Sequence, residues 1–123
     1  MNTKTVRAVV ARDQGRCQVC GTDAGLSVHH RINRGMGGSK TLDRMSNNVA
    51  CCWPCNARME ADADFAREAR RRGLKLSRLT AVTKLPWTPY EDPDGFWWLI
   101  DDTGCKVLFD MPDQGLLVEG EAA

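Results

Sequence analysis

The chain has 123 residues, of which 42% are hydrophobic and 27% charged, proportions that exclude wholesale disorder and suit one globular domain. No apolar run approaches the ~20 residues that cross a bilayer. The N-terminal stretch MNTKTVRAVVARDQGRC has no secretory apolar segment, so a cytoplasmic location without a membrane partner is expected. The net charge of +1 hides a polarity: residues 1–79 carry fifteen Lys and Arg against seven Asp and Glu, and residues 80–123 two against nine. A basic half suits nucleic acid and an acidic half does not, so any DNA contact is expected before residue 80.

In chain order, Val6, Val9 and Val10 recur at helical spacing and predict a first helix from Thr5 to Asp13. Gln14-Gly15 ends it and leads into Cys17-Gln18-Val19-Cys20-Gly21, where Gly21 suits a tight turn. Leu26 to Ile32 reads as a short strand. A basic, glycine-rich loop, Arg34 to Ser39, follows, and Asn48 to Cys51 forms a second strand. A helix is expected from Asn56 to Arg72, with Ala57, Ala61, Phe65 and Ala69 as its packing stripe and Gly73 closing it. Beyond Leu79, prolines at 86, 89 and 93 precede two strands, Phe96 to Ile100 and Lys106 to Phe109. These flank Asp101-Asp102-Thr103-Gly104 and so predict a β-hairpin. The fold class expected is α+β, with one unit at 1–79, a hairpin extension at 80–113 and a loose tail at 114–123.

Six cysteines are present, and four form two C-x-x-C pairs, Cys17/Cys20 and Cys52/Cys55, separated by 31 residues. In a reducing compartment this spacing points to metal ligation, and two such pairs to a closed tetrahedral zinc site of structural type. Cys51 is expected to be a buried thiol outside that set. The two histidines, His29 and His30, are neighbours between the cysteine pairs. Adjacent strand residues face opposite ways, so one can hold a metal while the other faces a substrate. Arg31, Arg34 and Lys40 near the loop, and Arg58 on the helix, are candidates for phosphate contacts.

The order C-x-x-C, His-His-Arg, Arg-Gly-Met-Gly-Gly and Asn-x-Val-x-x-Cys-x-x-Cys resembles the HNH, or ββα-metal, endonucleases over about residues 5–76. It is most similar to small bacteriophage and actinobacterial members with a four-cysteine zinc site. The resemblance implies that His30 is the general base, that His29 ligates a catalytic divalent cation, and that Asn47 braces the loop between the strands. Asn48 is the alternative brace. Where the family usually ends its motif in His, this chain has Asn56, implying an HNN variant whose amide oxygen takes the metal. The competing reading makes Asn56 a helix N-cap. Glu60, one turn on, is a further candidate ligand. The cation, Mg²⁺, Mn²⁺, Ni²⁺ or Zn²⁺, is expected to bind weakly without DNA because His29 and Asn56 are both neutral.

The implied activity is metal-dependent hydrolysis of DNA phosphodiester bonds in a bacterial or phage-infected cell, by a monomer or weak homo-oligomer, with a phage terminase or other packaging protein as a further partner. The alternative is a zinc-stabilised module that binds DNA or docks on a terminase without cutting.

Overall fold

The computed structural model describes residues 2–33 and 41–110. The glycine-rich loop with Arg34 and Lys40, and the 114–123 tail, lie outside the described residues. Helix α1 (Thr3–Arg12) is capped by Asn2, whose side chain accepts from Thr5 N at 2.8 Å. Strands β1 (Leu26–His30) and β2 (Asn48–Cys52) pair antiparallel, with a 3₁₀ turn at Met45–Asn47 leading into the second. Helices α2 (Trp53–Ala61) and α3 (Ala63–Arg71) follow, then a 3₁₀ turn at Val82–Trp87. Strands β3 (Tyr90–Glu91), β4 (Trp97–Ile100) and β5 (Lys106–Leu108) form a second antiparallel sheet in that order. The architecture is α+β, as expected, with an N-terminal helix and a C-terminal hairpin enlarged to three strands by β3. None of the helices among the described residues is long and apolar enough to cross a membrane.

The two faces of β2 serve two cores, as the period-two alternation of a strand requires. Val28 and Ala50 meet Val9, with Val6 and Val10 of α1 packed alongside. Val49, Cys51 and Cys52 join Cys17, Cys55, Met59, Ala69 and Leu74 in the larger core. Tyr90 and Ile100 belong to that same cluster and are wholly buried. The expected division after residue 79 is therefore not a boundary within the core: the C-terminal sheet completes it.

The single helix expected from Asn56 to Arg72 is instead two, and it starts three residues earlier, at Trp53, with Pro54 in the first turn. Asp62 breaks it. Its backbone is extended (φ −117°, ψ 111°) and its carboxylate accepts from Asp64 N and Phe65 N, capping α3. The break rotates the apolar face: Ala57 and Ala61 are exposed, and Cys55, Met59, Ala66 and Ala69 are the buried positions. Gly73 ends α3 as expected. It has φ +73°, and a Cβ there would lie 2.2 Å from Pro89 O, so both conformation and space demand glycine.

A two-stranded sheet has edges that need partners. Along β2, Ala50 N donates to Asp13 Oδ2 at 2.8 Å and Ala50 O accepts from Gln18 N at 2.9 Å. Asp13 is buried, and it also accepts from Arg12 Nε at 3.0 Å and from Lys106 Nζ of β5 at 3.1 Å. Arg12 in turn donates to Met45 O and Asn48 O. Asp13→Asn leaves two cations facing a neutral amide in the interior. We expect it to destabilise the fold by about 3 kcal/mol or more, measured by urea unfolding. Truncation after Leu79, which removes Leu85, Tyr90 and Ile100 from the core, should abolish cooperative unfolding altogether.

Candidate metal centre and adjoining histidine cavity

The four cysteines of the two pairs converge. Cys17 and Cys20 sit on the turn after α1, where Gly21 N closes back on Cys17 O at 2.8 Å with φ +87° at the glycine. Cys52 ends β2, and Cys55 lies in the first turn of α2. Their sulfurs all lie within 4.8 Å of one another, a group that can hold a metal ion such as zinc. The Cys20 and Cys52 Sγ atoms are 3.8 Å apart. With Zn–S bonds of ~2.3 Å a tetrahedron has an edge of about 3.8 Å, so the sulfurs are spaced as a zinc site needs.

The electrostatics also favour a cation. Val19 N and Cys20 N approach Cys17 Sγ at 3.4 and 3.5 Å. Hydrogen bonding from Cys51 above all, and then these amides, bring the Cys17 thiol down to about 4 against the opposing effect of burial. Cys52 and Cys55 are pushed up, by burial first and for both also by the charge of Cys17. Four thiolates cannot share so small a space without a dication among them. Cys51 is buried as expected, with Sγ 3.3 Å from Cys52 O, and lies outside the four-ligand set.

Between β1, α2 and the chain after α3, a cavity of about 150 Å³ is lined by His29, His30, Asn56, Glu60 and Lys75. His29 is buried, and its Nε2 lies 2.7 Å from Leu74 O. A carbonyl only accepts, so Nε2 carries the proton and the lone pair is on Nδ1. Burial, and behind it the charge of Lys75, lowers His29 to about 4, so the ring is neutral and able to ligate without losing a proton. Asn56 lines the same cavity beside it. Because α2 begins at Trp53 with Cys52 as N-cap, Asn56 is inside the helix, and the capping role is excluded. Glu60 also reaches the cavity, one turn along α2.

His30 Nε2 lies 3.0 Å from Asp43 Oδ1. A carboxylate accepts, so Nε2 is the donor, and the neutral ring carries its lone pair on Nδ1. Asn47 is wholly buried and holds the strand end in place. Its Oδ1 accepts from Ile32 N at 2.7 Å, and its Nδ2 donates to Ile32 O at 3.1 Å and Leu42 O at 2.9 Å. The Asn48 side chain, by contrast, is buried with no hydrogen-bond partner among the described residues.

Arg31 requires a correction. It is expected at a phosphate, but it is wholly buried and donates to Gly73 O at 2.9 Å, Ser46 O at 3.1 Å and Thr88 O at 2.6 Å. Burial lowers it to about 10, and Tyr90 lies under the guanidinium, 5.7 Å from carbon to ring centroid. Arg31 is a clamp between the N-terminal half and the C-terminal half, with no donor directed at solvent. Arg58 remains exposed, stacked on Phe65 at 4.1 Å and 3.4 Å from Asp62.

Two residues beside the histidines, Asp43 and Lys75, escaped the sequence reading. Asp43 carried one signal, as the sole acidic residue between Asp23 and Glu60. Lys75 carried none, because only the return of the chain after Gly73 brings it to His29.

Zinc content measured on purified protein should collapse in Cys52→Ser and persist in Cys51→Ser, and chelation of the metal should unfold the wild type. Comparison with protein-family models, with curated proteins and with solved structures gives no match, so the site speaks through its own geometry: four clustered thiols able to hold a metal ion, and beside them a polar cavity with two imidazoles of fixed tautomer.

Proposed function

We propose that the protein is a metal-dependent DNA endonuclease of the HNN kind. The observation that carries this reading is the convergence of His29, His30 and Asn56, from β1 and α2, on one cavity beside the four-thiol cluster. In this reading the thiols hold a structural zinc, and His29 Nδ1 and the Asn56 amide oxygen hold a second, divalent cation. Bound there, such a cation would supply Lewis acidity towards the scissile phosphate and the departing 3′ oxygen. His30 accepts the proton of the attacking water through Nδ1, while Asp43 orients the ring and stabilises the imidazolium that forms. Asn47 holds the end of β1 and so the approach of His30. Breaking the bond to the 3′ oxygen leaves a 5′-phosphate and a 3′-hydroxyl. Arg58, with Arg34 and Lys40, supplies backbone contacts on the basic half.

The reading extends to a bacterial or phage-infected cell, with DNA as substrate and a packaging terminase as a further partner. The apolar surface offered by Trp87 and Val107 on the C-terminal half suits such protein docking. A non-cutting DNA-binding or docking module is the outcome if cleavage fails.

The test is plasmid nicking in Mn²⁺ or Mg²⁺. His30→Ala should lower the rate about a hundredfold or more. Asp43→Asn, which keeps an acceptor but removes the charge, should lower kcat about tenfold with KM unchanged. Equal activity, or equal inertness, of wild type and His30→Ala would overturn the reading.

A further inference from the structure

Lys75 reaches the cavity from outside the strand–strand–helix unit. Gly73 turns the chain back, Leu74 O accepts a hydrogen bond from His29 Nε2, and Leu76 N donates to Arg31 O at 2.7 Å. Ile32 and Leu76 form a parallel bridge there. The residue between these anchors is Lys75, so the chain on either side of it is tied to the segment 29–32. Its side chain is 21% exposed against 58% for Glu60, and Nζ lies 3.8 Å from Glu60 Oε2. A lysine with its stem packed inside a polar cavity differs from the surface ion pairs of α3, whose partners are open to water.

The charges around this cavity have a clear balance. His29 is neutral and Asn56 is an amide. Arg31 lines the wall but its donors are turned to backbone carbonyls, and Asp43 is engaged with His30. Lys75 and Glu60 therefore offset each other. A dication approaching His29 and Asn56 meets the like charge of Lys75, and Glu60, the one carboxylate among the described residues that line the cavity, is already paired.

We propose that Lys75 is a phosphate-binding residue that, in the absence of DNA, occupies Glu60 and keeps a divalent cation weakly bound. The inference rests on the endonuclease reading and deepens it by coupling metal to substrate. A phosphodiester oxygen offers the ammonium a second acceptor. When Lys75 turns to it, Glu60 is released towards the cation, and the polyanion and the cation cease to compete with the lysine. Each ligand then strengthens the binding of the other by the same factor.

The test uses the intact, zinc-loaded protein, with Mn²⁺ titration calorimetry in the absence of DNA alongside plasmid nicking. Lys75→Gln should bind Mn²⁺ about tenfold more tightly than wild type, since one repulsive charge is removed and Glu60 is freed. The same variant should nick about tenfold or more slowly, because the phosphate loses its cation. Lys75→Arg, which keeps the charge, should match wild type in Mn²⁺ affinity and retain most of the nicking. Unchanged or weakened Mn²⁺ binding by Lys75→Gln would overturn the proposal, as would wild-type nicking by that variant. Those failures leave the endonuclease reading standing if wild type nicks and His30→Ala does not. If neither nicks, the endonuclease reading itself falls and Lys75 loses its phosphate role with it.

Discussion

A buried carboxylate holds this small molecule together. Asp13 lies one residue beyond α1 and receives hydrogen bonds from the backbone of β2, from Arg12 and from Lys106 of the last described strand. Two strands alone make a marginal sheet, because each presents unpaired amides and carbonyls. Asp13 and Gln18 satisfy β2 on the side that β1 leaves open, and Gln18 also accepts from Tyr90 and Lys106. One charged side chain thus fixes the position of α1, the hairpin edge and the C-terminal sheet at once. Lys106 is drawn far enough inside for burial to lower its pKa, with Asp13 acting against that effect.

Arg31 does the corresponding work on the other side. It follows His30 directly in sequence, yet the strand turns it inward while the two histidines reach the cavity. Its guanidinium binds carbonyls contributed by the chain after α3, by the turn before β2 and by the segment before β3. A planar, forked donor suits that geometry where an ammonium would not. The consequence for the site is rigidity. His29 is held by Leu74 O, His30 by Asp43, and the strand between them and the 3₁₀ turn by Asn47 and Arg31.

Much of this is legible in the sequence, and the rest is hidden for identifiable reasons. The paired cysteines, the valines of α1, the closing Gly73 and the C-terminal hairpin are local patterns whose physics acts within a few residues. The start of α2 is hidden because Trp53 and Pro54 carry no periodic signal, and Pro54 reads as a breaker until its first-turn position is known. The break at Asp62 is masked by alanines at helical spacing on both sides of it. Arg31, in a basic run next to two histidines, reads as a phosphate ligand, and only the tertiary contacts show that its charge is spent inside. Lys75 and Asp43 meet the histidines through long-range packing, which no window along the chain contains.

The sharing of one core between the zinc-type cysteines and the residues Tyr90 and Ile100 has a consequence for synthesis. A ribosome that has exposed both C-x-x-C pairs and both histidines has still not delivered the side chains that seal them. Metal capture can begin early, but close packing waits for the C-terminal sheet to emerge. The cavity lined by His29 and His30 therefore gains its final support only after residues 90–100 have left the ribosome, well after both histidines and all four paired cysteines.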